Sequence, residues 1–585
     1  MFDRILDTIG NWNPQLFREL KGRLKSRNIS LAAGISAIIQ GLIYLVFLTR
    51  YPGEHDTFHR YCIGQVPPDT DVYDPYKLSN LQYCLRDAAG LLRDGVFNSK
   101  LWWLDLFTTL SFVSIFTLLV IGVYMLIADL SKEESRGTLG FIRLSPQSTR
   151  SLLIGKILGV PALLYIAIAL TIPLHLGSAI AANLNLARVF GFYLVLGVSA
   201  FFFYSGALLY GLVSASLGNF QAWIGGGAVL GFLSFYSFWL LDSYSRMLTS
   251  TLGDLFLLLH PAAFLPYVVS SAPLSLDIID YLNVKEFAQL TWFELPFFHY
   301  AHTAIAFILA NFAVGTYWIW QGLLRRFHNS HSTIISKQQS YFLSGSLVLA
   351  MMGFAVQEDF WGGRNIQDHL LENFQILYIF VMLMGLGLIA CLSPHRQTLQ
   401  DWARYRHQNE RNSRNSWHDL IWGEQSPANL AVMLNFVVMG SMILVAIYML
   451  PFRENRLSAL LGLICTTSIV IVYATIAQWL LLMKSNKRGV WAAATITAII
   501  LFPMLSFVVL QIDPMNSVYR GLWLLSATPA FATEMMALST VGLALLAEWT
   551  AIVLVNVQMS RQLKKMGESA TRALLQGRDR ATIMS

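Results

Sequence analysis

Twelve stretches of the chain stay apolar for about the 20 residues that a helix needs to cross a hydrocarbon core, and polar or charged segments separate them. The first six lie near residues 29–49, 104–128, 152–180, 189–216, 220–241 and 298–323. The second six lie near 341–357, 373–392, 429–451, 457–483, 490–511 and 535–558, and the seventh, Tyr341 to Gln357, is short. This pattern predicts an all-α, polytopic helical membrane protein with about 12 transmembrane helices in two six-helix halves. The expected organisation is an amphipathic interfacial helix within 1–28, a first membrane domain over 29–325, a linker at 326–340, a second, degenerate membrane domain over 341–558, and a tail at 559–585.

Composition narrows the class. Of 585 residues, 55% are hydrophobic and 13% charged, against roughly 25% charged in an average soluble chain. That excludes a soluble globular enzyme and a disordered chain, and four cysteines are too few for a disulfide-rich secreted module. The net charge of +7 is read as orientation rather than affinity for nucleic acid. With the N-terminus in the cytoplasm, 27 Lys and Arg fall in inside segments and 13 outside, six of the latter in the loop 50–103. Both termini are therefore expected to be cytoplasmic. The N-terminal stretch is polar and the first apolar run is of full spanning length, so a retained helix is expected there, not a cleaved signal peptide.

Two cytoplasmic segments carry most of the functional signal. Asn13-Pro14 can cap and start a helix, with Leu16, Leu20 and Leu24 on one face and Arg18, Lys21, Arg23, Lys25 and Arg27 around the rest. This suits a basic helix lying on an anionic leaflet; an ordinary positive-inside flank has the same composition. The loop between the second and third spans runs Ser131-Lys-Glu-Glu-Ser-Arg-Gly-Thr-Leu-Gly-Phe-Ile-Arg-Leu-Ser-Pro146 and on to Gly155-Lys156. Gly137-Thr138 would begin a short helix carrying Leu139, Ile142 and Leu144, and Ser145-Pro146 would end it and start the next span.

These residues resemble the first cytoplasmic loop of type-2 ATP-binding-cassette (ABC) transporter permeases, in Glu-x-x-x-Gly-Thr-Leu, then Leu-Ser-Pro, then Gly-Lys. Asn13-Pro14 with Arg18-Glu19-Leu20 resembles that family's interfacial connecting helix. The resemblance covers about the first 325 residues. It implies a permease in the bacterial cytoplasmic membrane, an exporter, whose coupling helix docks on a nucleotide-binding subunit, a dimer that supplies ATP and Mg. Glu133, Glu134, Arg136, Gly137, Thr138, Leu139, Ser145 and Pro146 are the contact residues it implies. No cofactor is expected in this chain, because the phosphate-cradling Gly-x-x-x-x-Gly-Lys-[Ser/Thr] pattern is absent.

The second half reads as a degenerate copy of the first. Arg136-Gly-Thr-Leu139 finds an echo in Arg396-Gln-Thr-Leu399, Ser145-Pro146 in Ser426-Pro427, and Pro261-Ala-Ala-Phe264 in Pro529-Ala-Phe531. Arg396, Thr398, Leu399, Glu424, Ser426 and Pro427 thus outline a second coupling loop, which lacks the Glu-Glu pair and the Gly-Lys and holds a polar insert around Asp401–Leu420. One chain would then supply both membrane domains.

Other groups have two readings. Cys62 and Cys84 share the outside loop and are either a disulfide or two thiols. His55, His59 and Cys62 stand at i, i+4, i+7 but lack a fourth metal ligand, so no metal site is expected. Cys391 and Cys465 read as core residues. The apolar segment 250–272, broken by Pro261 and Pro266, either dips into the outer interface or lies along it. Glu548, deep in the last span, either pairs with a neighbouring helix or is functional, and His175, His299 and His302 lie nearer the outer ends. No catalytic constellation is present in the sequence. The alternatives to an ABC permease are an ion-coupled secondary transporter and a polytopic lipid-modifying enzyme.

Overall fold

A computed structural model describes residues 10–53, 55–64, 81–85, 97–241, 252–282, 284–356, 366–408, 416–450, 453–485, 487–513 and 519–567. Parts of the polar insert (409–415) and of the tail (568–585) lie outside the described residues. The fold is all-α, with 79% helix, and eleven described helices are long and apolar enough to cross a membrane. The seventh expected span does form a helix, Lys337–Ala355, but its Lys-Gln-Gln start keeps it out of that set. Many large apolar side chains on the spans are exposed, among them Leu42, Phe235, Phe502 and Leu554, as expected where the solvent is hydrocarbon. The chain divides into two compact units, one mainly residues 1–328 and the other mainly 329–585.

The first unit begins with α1 (Pro14–Arg23) and α2 (Ser26–Leu48). A two-stranded antiparallel sheet follows, β1 (Phe58–His59) against β2 (Gln82–Tyr83). Beside it Cys62 and Cys84 form a disulfide, which removes Cys62 as a metal ligand. The second span, α3 (Ser99–Ser135), contains a π-helical turn at Thr117–Ile121. Within that turn the Leu118 carbonyl accepts from the Tyr204 hydroxyl at 2.6 Å as well as from the Gly122 N–H. Gly122 lies directly beneath the Tyr204 ring, where a side chain would collide with it.

The short helix α4 (Thr138–Arg143) leads into the third span. That span was expected to be continuous but is broken into α5 (Thr149–Gly159), α6 (Ala162–Ala169) and α7 (Ile172–Ala181). The breaks fall at Pro161 and Pro173, which lack an N–H and crowd the preceding turn. The α2 side chains repair the second break: Ser36 donates to the Ala167 carbonyl at 2.8 Å and Gln40 to the Leu170 carbonyl at 3.3 Å. α8 (Leu186–Val213), α9 (Phe220–Leu241) and α10 (Ala301–His328) complete the unit. Between α9 and α10, short helices at Gly253–Leu257, Pro261–Phe264 and Leu265–Val269 are largely buried, and the last two pack against α8. This segment is therefore internal, not laid along a surface.

The second unit comprises α11 (Lys337–Ala355), α12 (Ile366–Leu392), α13 (Arg396–Gln408), α14 (Ser416–Trp422), α15 (Asn429–Met449), α16 (Arg453–Leu481), α17 (Arg488–Val509) and α18 (Leu538–Gly567). Counting spans within each unit, the same pairs pack: first with third (α2 with α6; α11 with α15), second with fourth (α3 with α8; α12 with α16), and fourth with sixth (α8 with α10; α16 with α18). The fifth differs, since α9 packs on α3 whereas α17 packs on α16. Both proline echoes open 3-10 turns, Pro261–Phe264 and Pro529–Met535.

Candidate functional site

The loop between the second and third spans stands on a buried ionic base. Lys156 on α5 is only 1% exposed and its Nζ lies 2.8 Å from Asp129 Oδ2 and 2.6 Å from Glu133 Oε2, the latter off hydrogen-bonding angle. Arg23 binds Asp129 Oδ1 at 2.6 Å, and Arg18 binds Glu133 Oε1 at 2.7 Å. Glu19 joins both arginines, at 3.2 Å and 3.3 Å. Three cations thus face three carboxylates. Glu19, Asp129 and Glu133 come close enough to hold a metal ion, but the Lys156 ammonium already sits among them and supplies the positive charge.

Helix packing explains why α1 reaches this cluster. Gly155 and Gly159 are four residues apart on α5. A Cβ on Gly159 would stand 2.5 Å from Glu19 Cβ, and one on Gly155 2.9 Å from the Leu16 nitrogen. α1 therefore lies directly on glycine backbone. Asn13 caps α1 by accepting from the Leu16 N–H at 3.0 Å and donates to the Ser151 carbonyl at 2.7 Å. The buried side of α1 is mostly polar, with Asn13, Gln15 and Glu19 beside Leu16, while Leu20 and Leu24 are only half-buried. The expected leucine face is thus spent partly on protein. Replacing Gly159 with leucine should lift α1 off α5 and speed trypsin cleavage after Arg18, Lys21 and Arg23, whose helix would no longer be held. Unchanged cleavage kinetics in the purified chain would refute this packing.

Above the base, Gly137 takes φ +71°, the left-handed conformation open to glycine. It ends α3 and turns the chain into α4. Glu134, Arg136, Gly137 and Thr138 are exposed, whereas Glu133 is turned into the ionic cluster and Leu139 is buried. These last two, expected at a partner's surface, instead hold the loop in place. The side chains that α4 presents outward are Phe141, 77% exposed, and Leu144, 84% exposed. Arg143 lies over the Phe327 ring at the end of α10. Pro146 is exposed and Ser145 half-buried. The next helix does not start at Pro146 but at Thr149, because Ser148 is its cap, accepting from the Ser151 N–H at 3.2 Å.

The second loop is organised differently. On α13, Leu399 is buried against Leu482 and Met559, Arg396 donates to the Leu482 carbonyl at 3.0 Å, and Thr398 is half-buried. Glu424 is exposed and Ser426 and Pro427 are buried. Lys337, at the start of α11, donates to Ser426 Oγ at 2.6 Å and to the Leu420 and Pro427 carbonyls at 2.8 and 3.2 Å. Its ammonium caps the end of α14. Burial pushes the Lys337 ammonium down to about 8, although Asp419 and Glu424 pull the other way. Between pH 8 and the ordinary lysine value of about 10.5, the unfolded chain holds a proton that the folded chain has released, so folding stability rises with pH across that window. The gain is on the order of 3 kcal/mol. Thermal unfolding of wild type and Lys337→Met should diverge in slope between pH 8 and 10; parallel curves would contradict this assignment.

At the other end of α3, Asp105 gathers Arg60 (2.7 and 3.1 Å), the Tyr61 hydroxyl (3.0 Å) and the Tyr281 hydroxyl (2.7 Å). This ties the disulfide-bearing loop to the span. His175 is buried between Ser111 (2.8 Å) and Tyr193 (2.7 Å), and is fully satisfied. His299 and His302 flank Tyr300 at the start of α10. Cys391 is half-buried and Cys465 buried, both as free thiols. Glu548 is 4% exposed; Ser468 faces it, yet neither carboxyl oxygen makes a hydrogen bond of good geometry, and no cation pairs with it among the described residues. No protein-family model, curated protein or solved structure matches the chain.

Proposed function

We propose that this chain is the membrane-embedded permease subunit of an ABC transporter, an exporter, with ATP hydrolysis in a separate nucleotide-binding subunit. The observation that carries the reading is α4: a six-residue helix between two spans, with two large apolar side chains exposed at its tip and a buried ionic base beneath it. An exposed Phe-Leu pair in a loop between spans suits a protein partner, and the ionic base would let a push on α4 reach α3, α5 and α1 together. The residues resembling the type-2 permease loop lie in the same place. The like packing of spans within each unit supports one chain carrying two membrane domains, so that two nucleotide-binding subunits would serve a single permease.

The test is purification of the full chain from its native membrane, with a cysteine at position 141 cross-linked to whatever ATPase accompanies it. A cross-linked ATPase is the expected result. An ATPase-free chain that takes up solute on a proton or sodium gradient would replace this reading with an ion-coupled transporter, which the buried, unpaired Glu548 favours.

A further inference from the structure

The last helix, α18, carries a groove of about 470 Å³ along one face. Its upper wall is apolar, with Trp549, Val553 and Val557; its lower end is polar and basic, with Ser560, Arg561 and Lys564. Arg561 and Lys564 are exposed and form no ion pair among the described residues. We propose that this groove binds one anionic phospholipid, its phosphate at Ser560, Arg561 and Lys564 and an acyl chain along Trp549, Val553 and Val557.

The dimensions fit a lipid better than a soluble anion. α18 has 30 residues and is about 45 Å long, against a hydrocarbon core of about 30 Å. With its apolar start at Leu538 at one boundary, the core ends near residue 558, and Ser560 is the first polar position of the groove beyond it. The apolar wall from Trp549 to Val557 spans about 12 Å, close to the depth of one leaflet. The groove therefore changes from apolar to cationic where a lipid changes from acyl chain to phosphate. A soluble phosphate compound would use the basic end and leave the apolar wall empty. The Asn556 amide is already engaged, by Asn429 at 2.9 Å and by the Ile552 carbonyl at 2.9 Å, so it does not compete for the headgroup. This inference does not depend on the transport reading.

The test uses the full chain in detergent, titrated with phosphatidylglycerol or phosphatidylcholine bearing brominated acyl chains. The Trp549 fluorescence is isolated as the difference between wild type and Trp549→Phe. Phosphatidylglycerol should quench it at about tenfold lower mole fraction than phosphatidylcholine. In the double variant Arg561→Gln, Lys564→Gln that preference should vanish while quenching by phosphatidylcholine stays, which also shows that the groove is intact. Equal quenching by both lipids in wild type, or an unchanged preference in the double variant, would overturn the proposal. So would absence of quenching by either lipid, since the groove would then be covered by protein.

Discussion

Replacing Lys156 with methionine should destabilise the base of the loop by about 3 kcal/mol or more, the usual cost of removing one partner from a buried ion pair. Lys156 is the innermost member of its cluster, and without it Asp129 and Glu133 keep only the arginines of α1. Two carboxylates would then repel each other within a largely dry site. The expected signs are a lower midpoint of thermal unfolding and faster proteolysis after Arg136 and Arg143. Adding Asp129→Asn and Glu133→Gln to the methionine variant should restore much of the loss, because it removes the two carboxylates that Lys156 neutralises and leaves Glu19 with Arg18 and Arg23, whose side chains reach solvent. If the single variant unfolds like wild type, or the triple variant is worse than the single, the cluster does not brace the loop.

On the proposed permease reading, Phe141→Asp together with Leu144→Asp should abolish transport while leaving the chain inserted and folded. Both side chains are exposed, so their loss removes nothing from the core. Apolar anchors at the centre of an interface typically cost ~2 kcal/mol or more each when removed, which would weaken binding of the proposed partner ATPase by a factor of about thirty for one anchor and roughly 700 for both. The readouts are retention of ATPase on the purified chain and transport in vesicles. Retained binding and wild-type transport would take α4 out of the mechanism. Charge reversal at Glu133 is a poor substitute, because it would break the ionic base and so confuse folding with coupling; Glu134, which is exposed, separates the two.

Much of the membrane architecture could be read from apolar run length alone, since a spanning helix must satisfy its backbone internally and show lipid an apolar surface. The breaks in the third span were also written locally, in Pro161 and Pro173. The outward face of α4 was partly legible: Leu139 and Ile142 are three residues apart, as are Phe141 and Leu144, so a helix puts the two pairs on different faces. Which pair points outward depends on α3 and α10, and no spacing rule supplies that. The ionic role of Lys156, read from the sequence only as part of the Gly-Lys pattern, is the plainest omission. A lysine inside an apolar run, after Asp129 and Glu133 spaced four apart, should suggest a buried pair. Its convergence with Arg18 and Arg23 required knowing that Gly155 and Gly159 let α1 lie against α5. Glu548 was visible as an oddity, but its lack of a partner is a property of the packed helices.

The Asp105 clamp and the Glu133 pair sit on one continuous helix, 28 residues and so about 42 Å apart. α3 is therefore a rod pinned near both ends by charge. Between those two anchor points its winding widens, at the π-helical turn Thr117–Ile121 where the Tyr204 hydroxyl reaches the Leu118 carbonyl, so a push on α4, on the proposed reading, would meet its softest point there.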